Sequence, residues 1–243
     1  MTDLLHAAGR RPLVAAPVVA LVLVGLAGLT GCSAPASSSP ASTPASPSAS
    51  SPASPSVDAA DQAAQAARAK ALTAMKTVTS YAFSSTEVLG SDTTLVTGRV
   101  VLPTSLDYVV SKGSSQQEVI RVAGATYVRA MPGAWKKLAK PGKDPSPLAG
   151  LLAALNAVDN LTVDAAGTHL TGSMTVPQAV AAGLISNASS GTAIIPVTFV
   201  LDSAGRVIEF GLSATLTVGG KHVTLTEDTT YSAFGKVPAV KAP

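Results

Sequence analysis

Two rhythms of apolar and polar residues divide the chain after residue 57. The first is helical. Ala60, Ala64, Ala71, Met75 and Val78 recur at the spacing of one helix face, behind Asp58 as an N-terminal cap and with acids ahead of bases. This predicts a helix to about Thr77, whose narrow face of small residues suits close packing on a sheet. The second rhythm has period two. Short runs at Tyr81 to Leu89, Leu95 to Leu102, Leu106 to Ser111, Glu118 to Val122 and Thr126 to Arg129 are separated by turn formers: Gly90-Ser91-Asp92, Pro103-Thr104, Lys112-Gly113-Ser114 and Ala123-Gly124. They read as an antiparallel meander. Longer runs close the chain at Ile194 to Leu201, Val207 to Val218 and His222 to Tyr231, joined through Asp202-Ser203-Ala204-Gly205 and Gly219-Gly220. In the middle run Ile208, Phe210, Leu212, Ala214 and Leu216 share one face, opposite Glu209, Gly211, Ser213, Thr215 and Thr217. Between the two strand groups, Pro147 to Val158 and Val176 to Leu184 read as short helices, the second with Pro177 at a favourable first helical position.

These elements predict an α+β domain: a curved antiparallel sheet of about eight to ten strands, a half-barrel with helices covering its concave face. Aromatic residues make up only 4% of the chain. A sheet rich in Ala, Gly, Val and Thr fills a large concave surface poorly with its own side chains, so a cavity is expected. Its candidate lining is Ile208, Phe210, Leu212 and Leu216, with Val197 and Phe199 on the preceding strand.

The N-terminal part follows different rules. An apolar, Ala- and Gly-rich run from Leu13 follows Arg10 and Arg11 and ends at Leu29-Thr30-Gly31-Cys32, where the chain has its only cysteine. Its length and flanks fit a secretory signal rather than a spanning helix. Pro12-Leu13-Val14 does not fit a twin-arginine signal. The tetrapeptide resembles the lipobox of bacterial lipoproteins, which implies that Cys32 receives a diacylglyceryl thioether and becomes the mature N-terminus. More than one acyl chain makes such a tether durable, since each buried methylene contributes about 0.8 kcal/mol. Residues 33 to 57 are almost entirely Ser, Ala, Pro and Thr, which cannot bury enough apolar area to offset ordering entropy. A spacer of this kind reaches roughly 80 Å when fully extended as polyproline. Ser/Thr/Pro tracts of exported proteins can carry O-linked sugars, with a bare spacer as the alternative. The expected organisation is a signal peptide over 1–31, the acylated cysteine and linker over 32–57, and one domain over 58–243.

Charge and chemistry narrow the function. The chain has 17 bases and 14 acids, and loss of the signal leaves 15 and 13. That balance is too mild for nucleic acid, which calls for a basic stripe with stacking aromatics. Only His169 and His222 remain after the signal, neither at metal-ligand spacing, so no metal and no catalytic residue is expected. No serine sits in a nucleophile elbow, and no Gly-rich phosphate loop precedes a helix. Asp159 and Asp164 bracket a strand-like segment as turn or face residues rather than a catalytic pair. Lys136, Lys137, Lys140 and Lys143 cluster beside Trp135. Such a group attracts anionic headgroups at about 1 kcal/mol per cation, and an indole suits a boundary between apolar and wet surroundings. Trp135, Lys136, Lys137 and Lys140 are therefore candidate headgroup or membrane contacts, with a plain solvated loop as the alternative.

Several segments taken in order resemble one family. They are Thr126-Tyr127-Val128-Arg129 with Pro132-Gly133-Ala134-Trp135-Lys136-Lys137-Leu138, the helix Ser146 to Leu155, Val197 to Gly205, and Tyr231-Ser232-Ala233-Phe234-Gly235 with Val237-Pro238. The chain resembles the extracytoplasmic LppX/LprG/LprF lipoproteins of actinobacteria, which share the LolA/LolB-like half-barrel. The resemblance implies a non-enzymatic lipoprotein on the outer face of the cell membrane that binds, and carries, acylated envelope lipids. Its partners would be the membrane, through the anchor, an envelope lipid or glycolipid as ligand, and a membrane transporter. It would use no cofactor beyond bound lipid and act as a monomer. A non-catalytic sensor or accessory module for an envelope protein is the alternative. Replacing Cys32 by Ala is expected to abolish acylation while leaving the domain folded. Detergent partition and lipid labelling check this, and a processed, lipid-labelled variant would remove the anchor assignment.

Overall fold

The computed structural model describes residues 57–139, 147–185, 193–218 and 221–243. The signal, Cys32, the linker, Lys140, Lys143 and the Gly219-Gly220 turn lie outside the described residues. Helix α1 spans Val57–Lys76, so Asp58 falls in its first turn. Strands β1 (Ser80–Leu89), β2 (Asp92–Val101), β3 (Ser105–Lys112), β4 (Ser115–Val122), β5 (Ala125–Met131) and β6 (Lys136–Lys137) follow. Then come α2 (Pro147–Ala157), β7 (Asp159–Val163), β8 (His169–Thr175), α3 (Val176–Ala181), β9 (Ile194–Leu201), β10 (Val207–Val218) and β11 (Lys221–Ser232).

The eleven strands among the described residues form one antiparallel sheet in the order β6-β5-β4-β3-β2-β1-β11-β10-β9-β8-β7. The sheet is curved and open, a half-barrel, and its strand count exceeds the expected eight to ten. It consists of two meanders, β1 to β6 and β7 to β11, which meet where the first strand pairs with the last. The register there runs from Ala82 opposite Ser232 to Leu89 opposite Leu225.

The helices lie on the inner face and pack chiefly against β7 to β9. Ala64, Ala71 and Met75 of α1 are buried, with Val78 just beyond it, whereas Ala60 is exposed: the buried face starts one turn later than the periodicity predicts. Small side chains let α1 and α2 approach, and the Arg68 guanidinium donates to the Val158 carbonyl at the end of α2. Buried Leu148, Leu151, Ala154 and Leu155 give α2 its packing face. Thr175 and Gln178 cap α3 reciprocally, with Pro177 in its first turn. The helix stops at Ala181 rather than Leu184, because Gly183 takes a φ of 75° that reverses the chain. After β11 the tail returns over β1, with the Gly235 and Val237 amides donating to the Ser80 carbonyl and hydroxyl.

Two glycines of the inner face permit close approaches. A Cβ on Gly98 would meet the Asp107 carbonyl oxygen and Tyr108 Cβ, each at 2.6 Å. One on Gly172 would meet Val158 Cγ2 at 2.5 Å and the Asp159 carbonyl at 2.8 Å, where α2 runs into β7. Gly98→Ala is expected to lower stability by about 1–3 kcal/mol, the cost of forcing backbone apart in a packed sheet. A fall in the urea midpoint at unchanged slope checks it.

Candidate functional site

The inner face of β9 and β10 gathers most of the predicted cavity residues. Phe210 stands opposite Phe199, and Leu212 opposite Val197, in adjacent strands. The two phenylalanine rings lie 5.3 Å apart, tilted by 41°. Val197, Phe199, Phe210, Leu212 and Leu216 are between 0% and 5% exposed, in one cluster with Met75, Leu151 and Leu170. Ile208 does not join them. Pairing slips between Val207 and Glu209, so the bulge gives the buried position to Val207 and leaves Ile208 half-buried.

Beyond β9 and β10 the inner face turns polar at the seam and then apolar again. The alternate positions of β11 are Leu225, Glu227, Thr229 and Tyr231, and those of β1 are Tyr81, Phe83, Ser85 and Glu87. Tyr81 and Tyr231 meet edge to face with centroids 5.9 Å apart, and the Leu148 amide of α2 donates to the Tyr81 hydroxyl at 3.1 Å. Glu87 and Glu227 are directly opposite in register. Thr229 Oγ1 lies 2.9 Å from Ser85 Oγ and 3.3 Å from Glu227 Oε1. Burial, then the facing Glu87, push the Glu227 carboxyl up to about 7, against hydrogen bonds from Thr229 and Ser85. Burial also raises Glu87, which Lys112 partly offsets. Burial, followed by the charge of Glu227, raises the Tyr231 hydroxyl. Past the seam, the inner positions Val100, Leu106 and Val119 are buried while Val96, Tyr108, Val110 and Val128 are half-buried, and none belongs to a strand on which the helices chiefly pack. Sequence reasoning did not single out Ser85, Glu87, Glu227 and Thr229. The signal available for Glu227 was its place in the apolar alternation of β11.

Two hollows in the described surface bear on the site. One of about 400 Å³ is a shallow depression between Lys70 and Thr73 of α1, Thr77 just beyond it, and Ala204 of the β9–β10 turn. The other, of about 180 Å³, lies where Pro147 of α2 faces Val100, Leu106 and Arg121 on β2, β3 and β4. Neither is lined by the predicted cavity residues.

Of the predicted headgroup contacts, the three among the described residues sit at the sheet edge. Lys136 and Lys137 are exposed on β6 and pair with Val128 and Tyr127. Trp135 is half-buried beneath the Arg129 guanidinium, 4.6 Å from the ring centroid, and Arg129 Nε also donates to Glu118 Oε2 at 2.7 Å. By alternation along β5, Arg129 points to the outer face, so Trp135 packs there and not beside Val128 on the inner one. The other singled-out polar residues have local partners. Asp164 accepts from the Thr168 and His169 amides, and those two bonds draw its carboxyl down to about 2. Asp159 accepts from Gln178 Nε2 at 2.8 Å, and His222 lies exposed beside Thr217. Among the described residues, no group of three His, Cys, Asp or Glu side chains is placed to hold a metal, and no helix is long and apolar enough to cross a membrane.

No protein-family model and no curated protein matches the chain. Among solved structures it is similar to LprF from Mycobacterium bovis, at 15% identity over 75% of this chain and 97% of that one, with a TM-score of 0.52. The fold is that of LprF-like proteins. The lipoprotein LppX of Mycobacterium tuberculosis also aligns, at 16% identity over 74% of this chain and all of that one, with a TM-score of 0.49. The sequence resemblance and the LprF alignment thus converge on one half-barrel.

Phe210→Trp tests how full the β9–β10 region is. With Phe210 only 3% exposed and against Phe199, the larger ring is expected to cost about 1–3 kcal/mol, read from the urea midpoint. An unchanged midpoint would reveal room beside the ring.

Proposed function

We propose that the protein is an extracytoplasmic lipoprotein, anchored through Cys32, that binds acylated envelope lipids on the inner face of its half-barrel by binding alone. The observation that carries this reading is the uneven cover of that face. The helices pack chiefly on β7 to β9, while Val96, Tyr108, Val110 and Val128 on the other half-sheet stay half-buried. Acyl chains laid over them would remove apolar surface from water at about 25 cal/mol per Å². The hollow between Pro147, Leu106 and Arg121 opens onto the same half and supports it as the side of entry. The ligand region thus shifts from the predicted β9–β10 residues toward β2 to β5. Lys136 and Lys137, exposed at the rim of that half, suit anionic headgroups.

The close packing of Phe199, Phe210 and Leu212 favours a second reading, a solid accessory or sensing module with no lipid of its own. Native mass spectrometry of the mature protein from its own host separates the two. A lipid-sized mass increment is expected, reduced severalfold in the double variant Val96→Gln, Val110→Gln with little change in urea midpoint. A parent protein without lipid, which also fails to take up a fluorescent fatty acid, would support the module instead.

A further inference from the structure

We propose that Glu87 and Glu227 form a proton-sharing latch across the β1–β11 seam, tightening the joint between the two half-sheets in acid and loosening it as the pH rises. The inference does not depend on the lipid reading.

Geometry comes first. The two glutamates are paired in register across adjacent antiparallel strands and point to the inner face, flanked by Leu212 on β10 and Thr94 on β2. Like charges directly opposite in a sheet repel, and a half-buried face screens them poorly. One shared proton removes the repulsion. Ser85 and Thr229, the next inward pair toward Tyr81 and Tyr231, give the Glu227 carboxyl hydroxyl partners.

The other ionisable groups around the pair do little to neutralise it. Lys112 on β3 is the cation that bears on Glu87, but it is exposed and bridges Asp92 at 2.8 Å. Asp228, beside Glu227 on β11, adds negative charge. Tyr81 and Tyr231 lie further along the same face, and α2 has no ionisable side chain. His222 and Lys221 stand exposed at the far end of β11.

The direction of the effect follows from proton binding. Glu227 holds its proton to about 7 in the folded chain, against 4.5 for an ordinary glutamate. The folded state therefore binds more protons than the unfolded one between these values, and stability falls as the pH rises through the window. Below it both states are protonated, and the full stability is present. The position of the pair turns this into a local effect, because β1 and β11 are the strands through which the two meanders join.

Urea unfolding of the full chain between pH 5 and 8.5 tests the latch, with Glu227→Gln and Glu87→Gln beside the parent. The informative quantity is the difference between parent and variant, in which contributions common to both cancel. The parent is expected to lose on the order of a hundredfold in folding constant relative to Glu227→Gln across the range. Glu87→Gln should move the Glu227 transition to lower pH by removing the facing charge. Hydrogen exchange should quicken selectively at β1 and β11 amides in the parent above pH 7. A pH profile that is the same in parent and Glu227→Gln overturns the proposal. Should Glu227→Gln fail to fold, carbon-detected titration of the Glu227 carboxyl in the parent decides: a midpoint near neutrality supports the latch, and one near 4.5 overturns it.

Discussion

The pairing of β1 with β11 is the contact on which the other elements depend. Each remaining strand finds its neighbour through a local connection, by a tight turn in most cases, and such hairpins gain little by themselves. Joining the first strand to the last unites two meanders into one sheet of eleven strands, wide enough to curve and to present a continuous inner face. That union places Tyr81 against Tyr231 and brings α2 onto β1 through the bond from the Leu148 amide to the Tyr81 hydroxyl. The tail, bound to Ser80 through Gly235 and Val237, secures that same end of the strand.

The inner face is divided by the kind of cover it receives. Over β7 to β9 the small residues of α1 and α2 allow helices to lie close, and aromatic and aliphatic side chains fill the space between. Beyond the seam the same alternation of apolar residues continues with less cover, which is why equal hydrophobic patterns give near-complete burial for Leu212 and only partial burial for Val110. Glu87 and Glu227 stand between the two regions.

Much of this architecture was legible in the chain. Strands β1 to β5 and β9 to β11 were readable because strict alternation and turn-forming residues coincide. Strand β8 was not, since Gly172 interrupts the apolar series between Leu170 and Met174, and the reason for that glycine is a close approach of Val158 that only the tertiary structure contains. The two-residue β6 is too short to have a period. Ile208 was misplaced because a bulge shifts the phase of a strand without any mark in composition. For the site, patterning identified Val197, Phe199, Phe210, Leu212 and Leu216 as inward residues, but periodicity does not say whether protein or ligand covers them. The Glu87–Glu227 pairing was out of reach, since it rests on a register between residues at opposite ends of the domain.

The central position of β11 has a consequence for the order of assembly. In a sheet whose last strand lies at an edge, a growing chain adds strands one at a time to a finished template. Here the middle of the sheet is completed last, and β1 must wait for residues 221–232 before it has both neighbours. Closing so long a loop is entropically costly and slows folding. A chain threaded across a membrane from its N-terminus would therefore finish its sheet only once nearly all of it had emerged, and a break near the C-terminus would split the domain through its centre instead of trimming its margin.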